Sequence, residues 1–424
     1  MIKFLLKGLL RDRSRSLFPI LVVIAGVSLT VLLHGWITGF IGDMVNSNAN
    51  FSTGHVKIMT KAYAENEDQM PNDLALLGVD KILTDLRKEY PDMIWVNRIR
   101  FGGLLDIPDE NRETKTHGPA MGLAVDLLSN QGPEIANLNI EKALVRGRLP
   151  EKPGEILISD DFATKLGVSP GESATLLSST MYGSMAMQNY VIAGTVRFGV
   201  RPMDRGSMIV DISDAQLALD MSNASSEILG YLEDHIYDDA KAAEVAMRFN
   251  ADFAGYEDEF DPVMLTLREQ KDLASYLDMV SGMSGILVFV FVLLMSLVLW
   301  NAGLIGGLRR YGEVGVRLAI GENKGQVYRS MIYESALVGV IGSVIGTAIG
   351  LGISYLIQVK GFDFGYMMKS STMMLSNVLR TQITSEAYYI GFLPGLFSTV
   401  LGTMLSGIGI YKRQTAQLFK ELEV

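Results

Sequence analysis

The 424-residue chain contains no cysteine. That excludes disulfides, thiol chemistry, Cys-ligated metal and a lipid-modified cysteine of its own, so it is not expected to be a lipoprotein. Histidine is scarce too. His34, His55, His117 and His235 include no pair at a metal spacing such as HExxH. The string GVSPG (167–171) spells GxSxG but reads as a Pro-Gly turn and not as a strand-to-helix elbow, and there is no GxxxxGK[ST] phosphate loop. GVSPGES (167–173) comes nearest to the latter, but it lacks the lysine and reads better as a helix-ending glycine followed by a Pro-Gly turn. The expectation is a non-catalytic chain with no bound metal or cofactor, and nothing points to nucleic acid.

Charge is also missing, over long stretches. Leu17–Gly42, Met279–Leu308, Ser335–Val359 and Ala387–Tyr411 contain no Asp, Glu, Lys or Arg over 26, 30, 25 and 25 residues. A helix of roughly 20 residues crosses a ~30 Å hydrocarbon core. Four windows of this length therefore predict four transmembrane helices. A basic leader before an apolar run can be a cleaved signal peptide. However, the first window is too long for a signal h-region and ends without a small-x-small site, so a retained anchor is expected. His34 and Asn301 lie inside these runs and read as hydrogen-bonded packing residues.

The charges that remain are unevenly divided. Residues 43–278 hold 21 basic and 39 acidic side chains, and the rest of the chain holds 16 and 8. Basic residues crowd three places: Lys3, Lys7, Arg11, Arg13 and Arg15; Arg309, Arg310, Arg317, Lys324 and Arg329; and Lys412, Arg413 and Lys420. The positive-inside rule puts these in the cytoplasm, with 43–278 and 360–386 outside.

The fold class expected is a membrane protein of four transmembrane helices with a large α+β domain inserted between helices one and two. Residues 1–16 read as an amphipathic interfacial helix, because Lys3, Lys7 and Arg11 oppose Leu5, Leu6, Leu9 and Leu10. The spans are 17–42, 279–308, 335–359 and 387–411. The outer domain is 43–278, the cytoplasmic loop 309–334, the outer loop 360–386 and the tail 412–424. In the outer domain, strands are expected at 55–60, 93–107, 120–126, 155–160, 173–178, 189–197 and 206–212. Helices are expected at 79–90, 160–167, 214–221 and 239–253, with Asp160 or Asp161 capping the second. Helices one and two should extend beyond the membrane on the outer side. The small-xxx-small series Gly342, Gly346 and Gly350 marks a close helix–helix approach.

The loop 309–334 is a polar island between apolar runs, with eight charges between Arg309 and Glu334. After Gly321 the segment ENKGQVYRSMIYE predicts a short helix lying across the end of helix three. At 100° per residue it gathers Val327, Tyr328, Met331 and Ile332 on one side and Glu322, Gln326 and Arg329 on the other, with Lys324 on the apolar side. A plain basic connector is the other reading.

The stretch GEVGVRLAIGENKGQVYRSMIYESALVGVIGSVIGTAIG resembles the signature of ABC-transporter permeases of the MacB and lipoprotein-releasing (LolC/LolE-like) superfamily. Glu313, Gly315, Arg317, Ala319, Gly321 and Glu334 carry the match. Val314, Glu322 and Gly325 depart from it. A second stretch, GRLPEKPGEILISDDFATKLGVSPGESATLL (147–177), resembles the superfamily's outer-domain pattern through Gly147, Gly154, Glu155, Ile158, Ala163, Leu166, Gly167 and Gly171.

The resemblance implies a permease subunit that binds no nucleotide, with ATP and Mg held by a separate cytoplasmic ATPase. Glu313, Arg317, Gly321, Glu322, Gln326, Arg329 and Glu334 would form the ATPase-coupling site. A second permease chain, identical or not, would complete the transporter in the bacterial inner membrane. The work would be mechanotransmission, extruding or releasing a substrate such as a lipoprotein from the outer face. Membrane lipid and a lipoprotein or periplasmic adaptor would be further partners. Ile41, Met44, Val45, Leu277, Val280 and Met283 would wall an acyl groove, or simply pack helices one and two together. Export of a peptide, drug or other amphiphile is the alternative, as is FtsX-like regulation of an outer partner.

Topology is directly testable, because the chain offers a cysteine-free background. Single cysteines at Ser129 and Gly325 should face opposite sides when probed with an impermeant thiol reagent. Equal labelling of both in intact cells would refute the arrangement.

Overall fold

The computed structural model describes residues 13–111, 113–129, 132–233, 235–253, 258–270, 273–308, 311–363, 374 and 378–412. Most of the expected interfacial helix and tail, and Arg309 and Arg310, lie outside these. The chain divides into two compact units: Met1–Ile41 with Met279–Phe362 and Leu379–Val424, and Gly42–Asp278 with Asp363–Val378.

The first unit is helical. Its helices are Arg13–Asn48, Leu273–Leu308, Lys324–Lys360 and Phe392–Lys412, of 36, 36, 37 and 21 residues. All four are long and apolar enough to cross a membrane. At about 1.5 Å per residue the first three outrun a ~30 Å hydrocarbon core. Helix one runs past its apolar window to Asn48, and helix two begins before its own at Leu273. Helix three extends at its start, where it absorbs the segment expected to form a separate helix.

The glycine series makes the expected close approach. A Cβ on Gly342 would lie 2.7 Å from Val23 Cβ, one on Gly346 2.9 Å from Val27 Cβ, and one on Gly350 2.8 Å from Val31 Cβ. Both series advance by four, so helices one and three run parallel and interlock turn by turn. Helix four joins them at Gly395, which has Val27 and Ser343 against it. Helix two meets helix four through Gly303 and Gly402. His34 Nε2 lies 3.1 Å from Thr384 Oγ1, the packing role expected. Asn301 is exposed.

The second unit is built on a ten-stranded mixed sheet. Its strands are β1 (Val56–Thr60), β2 (Met93–Pro108), β3 (Thr114–Val125), β4 (Leu144–Gly147), β5 (Glu155–Ser159), β6 (Ser173–Ser179), β7 (Met185–Val196), β8 (Ser207–Asp211), β9 (Glu227–Leu232) and β10 (Pro262–Thr266). The order is β10-β1-β9-β2-β3-β8-β5-β7-β4, with β6 pairing β2 and β7. The β3–β8 and β5–β7 pairs are parallel. All seven expected strands are present. The sequence reading missed β4, β9 and β10 for physical reasons. β9 is buried throughout, so EILGYL shows no alternation. Its Gly230 is needed because a Cβ would lie 2.5 Å from the Trp95 ring. β10 begins at Pro262 on the sheet edge, a usual place for proline.

Sixteen-residue β2 serves two lobes. Residues 93–98 pair with β9, and residues 99–108 pair with β3. In one lobe the helices Val79–Glu89 and Asp239–Asp252 cover β1, β9 and β10, burying Leu83, Leu86, Phe249 and Trp95. In the other the helix Asp160–Leu166 buries Phe162 and Leu166 against Ile158, Phe101 and Leu105. A side chain as fully buried as Phe162 contributes about 1.5–3 kcal/mol. The helix expected at 214–221 runs Ile212–Ala218. The outer loop adds to this unit. Met374 is buried among Leu123, Leu157 and Phe198, and its backbone N–H donates to the Arg197 carbonyl at 3.0 Å.

The stretch 147–172 explains its own pattern. Gly154 (φ +84) and Gly167 (φ +65) sit where L side chains are strained. Gly167 ends the Asp160–Leu166 helix, as expected. The cap is Ser159, not Asp160 or Asp161. Asp160 instead accepts from Arg146 Nε at 2.7 Å and Thr195 Oγ1 at 2.8 Å, and an aspartate already used by those donors is not available to the helix N-terminus.

Glu155 closes the turn by accepting from Arg148 Nη1 and Nη2 (2.7 and 2.6 Å) and from the Glu151 N–H (2.9 Å). The Arg148 guanidinium holds the Glu155 carboxyl down at about 2. The folded state prefers the ionised form, so this stabilisation is complete above the ordinary value of 4.5 and is lost as pH falls towards 2. Melting curves of the full chain in detergent should therefore show wild type above Glu155→Gln at pH 6, with the gap closing between pH 4.5 and 2. A gap independent of pH would remove the ion pair as its cause.

Candidate coupling site

The polar island folds as two helices around a tight turn. The first is Tyr311–Ala319, which the sequence reading did not anticipate. The second is the start of helix three at Lys324. The expected separate helix across the end of helix three is therefore corrected: no residue between Lys324 and Lys360 breaks the helix, and Gly325 is absorbed in its first turn. The element lying against helix three is the segment one step earlier.

The turn is specified locally. Gly321 has φ +101 with nothing near a prospective Cβ, so conformation and not space requires glycine. Its N–H donates to the Leu318 carbonyl (3.2 Å), and the Glu322 N–H donates to the Arg317 carbonyl (3.0 Å). Those paired bonds form a Schellman end. Asn323 then caps helix three, its side chain accepting from the Gly325 N–H at 3.3 Å. Glu322 sits just before this cap, not in the first turn as expected.

Val314 and Leu318 pack on Val327 and Met331. Arg317 Nη1 donates to Ser330 Oγ at 3.0 Å. The Tyr328 hydroxyl donates to the Met404 carbonyl at 3.3 Å, with its ring on Gly407. The apolar side expected at Val327, Tyr328 and Met331 is therefore inward, and Lys324 is half-buried.

The seven coupling candidates separate by role in the fold. Glu313, Gly321, Glu322, Gln326 and Arg329 are exposed. Arg317 and Glu334 are half-buried, and Arg317 braces the helix pair. Two exposed apolar residues were missed, Val316 at 47% and Ile320 at 79%. Their signal is the spacing of four from Val316 to Ile320, on the face opposite Val314 and Leu318. The exposed surface thus joins an apolar pair to carboxylate, amide and guanidinium groups on a rigid turn. Such a surface suits docking into a protein groove. Among the described residues no cluster of His, Asp and Glu can hold a metal.

The six groove candidates are placed less tellingly. Ile41, Val280 and Met283 belong to the first unit and Met44, Val45 and Leu277 to the second. Met283 is exposed and the other five are half-buried.

Residues 285–415 match the FtsX-like permease C-terminal domain. The matched segment is less than half of the chain. It holds helices three and four, the polar turn and most of helix two. The chain is also similar to the lipoprotein-releasing system transmembrane protein LolC of Xylella fastidiosa strain Temecula1, 25% identical over 286 residues that cover 66% of this chain and 64% of that protein. The chain thus spans just under two thirds of that relative's length. The macrolide export ATP-binding/permease protein MacB of Bordetella avium is 33% identical over 95 residues, 22% of this chain and 14% of that one. The periplasmic region of MacB from Actinobacillus actinomycetemcomitans aligns with a TM-score of 0.37 at 9% identity, over 54% of this chain and 95% of that one. The family match and the sequence relatives bear out the resemblance to MacB- and LolC-like permeases read from the motifs.

Proposed function

We propose that this chain is the transmembrane permease subunit of a bacterial ABC transporter, driven by a separate cytoplasmic ATPase that holds ATP and Mg. The observation that carries the reading is the polar turn inside the FtsX-like permease domain. It is rigid, exposed and mixed in character. Val316, Ile320, Gly321, Glu322, Gln326 and Arg329 are the contact surface. Arg317, bonded to Ser330, keeps that surface in shape. A second permease chain pairs with this one in the inner membrane, and the large sheet domain lies outside.

The substrate is an amphiphile released from the outer face by mechanotransmission. The similarity to LolC favours a lipid-anchored protein over a macrolide, since it covers three times as much of the chain as the similarity to MacB. Within the first unit, exposed Met283 offers a polarizable side chain suited to acyl chains of varied shape.

Two substitutions test the reading. Arg329→Glu reverses one exposed charge, which costs under about 1 kcal/mol of stability. Partner-stimulated ATP hydrolysis should nonetheless fall about tenfold, equivalent to ~1.4 kcal/mol of coupling. Full stimulation in that variant would move the contact elsewhere. Met283→Asp places a carboxylate where the acyl chain should lie, at a cost of several kcal/mol if the site is dry. It should abolish cargo release while assembly and basal hydrolysis persist. Release surviving the substitution, or a complex that no longer assembles, would remove Met283 from the substrate path.

A further inference from the structure

The first spanning helix ends unusually. Past Asn48 it widens into a π turn, Ala49–Thr53, and Gly54 (φ +60) stops it. A helix end leaves its last carbonyls without intrahelical donors and carries partial negative charge. Here other groups take every one. The Ala49 carbonyl accepts from the Gly54 N–H at 2.8 Å and the Tyr231 hydroxyl at 3.4 Å. Arg98 spans the next two, Nη2 to Asn50 at 2.8 Å and Nη1 to Phe51 at 3.1 Å. Arg100 Nη2 takes Ser52 at 3.2 Å, and Gln270 Nε2 takes Thr53 at 3.0 Å.

The two arginines are themselves held. Arg98 is fully buried and forks Glu134, also fully buried, through Nε (3.0 Å) and Nη2 (2.8 Å). Arg100 Nε donates to Glu227 Oε1 at 3.0 Å. Glu227 Oε2 lies 3.1 Å from Lys57 Nζ, which also donates to Glu67 at 2.7 Å. The cluster balances three cations against three carboxylates. Burial pushes the Glu227 carboxyl up, but Arg100, Lys57 and Arg98 outweigh it and hold the group below the ordinary carboxylate range.

A glycine and a few waters would end a helix adequately. Burying four of these charges fully adds little net stability, because desolvation offsets much of their attraction. What the network does supply is a fixed geometry. Arg98 and Arg100 both lie on β2, the strand that serves both lobes. We propose that Arg98 and Arg100 are positioning residues that clamp the outer end of the first spanning helix to β2, so that displacement of the helix is delivered to the sheet. The role as a transmission joint rests on the transport reading above; the clamp itself does not.

The test separates clamp from transport in the full chain, reconstituted in lipid nanodiscs. Arg98→Met with Glu134→Gln removes the fork without stranding a buried charge. Arg98→Lys keeps the charge beside Glu134 but lacks the planar fork that spans two carbonyls. Amide exchange at residues 49–54 should accelerate at least about tenfold in the double variant and less in Arg98→Lys, with β2 and β9 still protected. Partner-stimulated ATP hydrolysis should persist while cargo release falls about tenfold.

Unchanged exchange at 49–54 overturns the clamp. Accelerated exchange with wild-type release overturns its role in transmission. If β2 also loses protection in the double variant, Arg98→Lys decides both points. If the wild-type chain responds to no ATPase, the transport reading fails, and the exchange result alone decides whether the clamp exists.

Discussion

Five consecutive carbonyls, Ala49 to Thr53, end the first spanning helix, and groups of the sheet unit satisfy all of them. An unsatisfied buried carbonyl costs about 1–3 kcal/mol, so a buried helix end without donors would be intolerable. The donors to the middle three, Asn50, Phe51 and Ser52, are cationic, which suits the negative end of the helix dipole. Cations in a dry interior then need carboxylates, which brings Glu134 and Glu227. Glu227 sits between two cations, so Lys57 is drawn in, and Glu67 after it. Each step is forced by the one before. The outcome binds β1, β2, β9 and the segment at Glu134 to a single helix end.

The membrane unit is governed by the opposite constraint. Lipid tails offer no hydrophobic reason for helices to associate, so close packing must do it. Gly342, Gly346 and Gly350 admit Val23, Val27 and Val31, and Gly395 admits Val27 from another side. Leu299 and Met295 of helix two reach Gly26 in the same manner. Backbone contact of this kind leaves few alternative registers. That rigidity is what a polar turn must have beneath it if a push there is to move whole helices and not be absorbed by side chains.

Much of this was legible in the sequence. Charge-free windows revealed the four spans, because length and composition suffice for that inference. The glycine series revealed a close approach, though only the structure identifies helix one as its partner. Seven of ten strands followed from β-branched runs bounded by turn residues. β9 escaped because burial on both faces erases alternation, and β10 because its proline reads as a break. Helix Tyr311–Ala319 escaped because YGEVGVRLA has two glycines and two valines, all poor helix formers. It is held by Val314 and Leu318 against helix three, which is tertiary packing overriding propensity. The coupling candidates came from the motif resemblance and the polar side of the expected helix, so apolar Val316 and Ile320 were passed over.

Two departures from local preference bear on the proposed function. Arg98 and Arg100 stand in a strand sequence, NRIR, whose charges suggest a solvated face, yet Arg98 is fully buried. Ile320 stands at the tip of a turn and is left bare, although a leucine-sized apolar group gains about 1.5–3 kcal/mol from burial. A departure from local preference is expected where something else is gained. For Arg98 the gain lies within the chain, in the carbonyls of Asn50 and Phe51. For Ile320 none of the described residues covers the side chain. Its burial would have to come from another surface, which the docking role proposed for the polar turn would supply: a connector that only obeyed the positive-inside rule would need the basic residues but not the isoleucine, the Schellman glycine or the brace from Arg317 to Ser330.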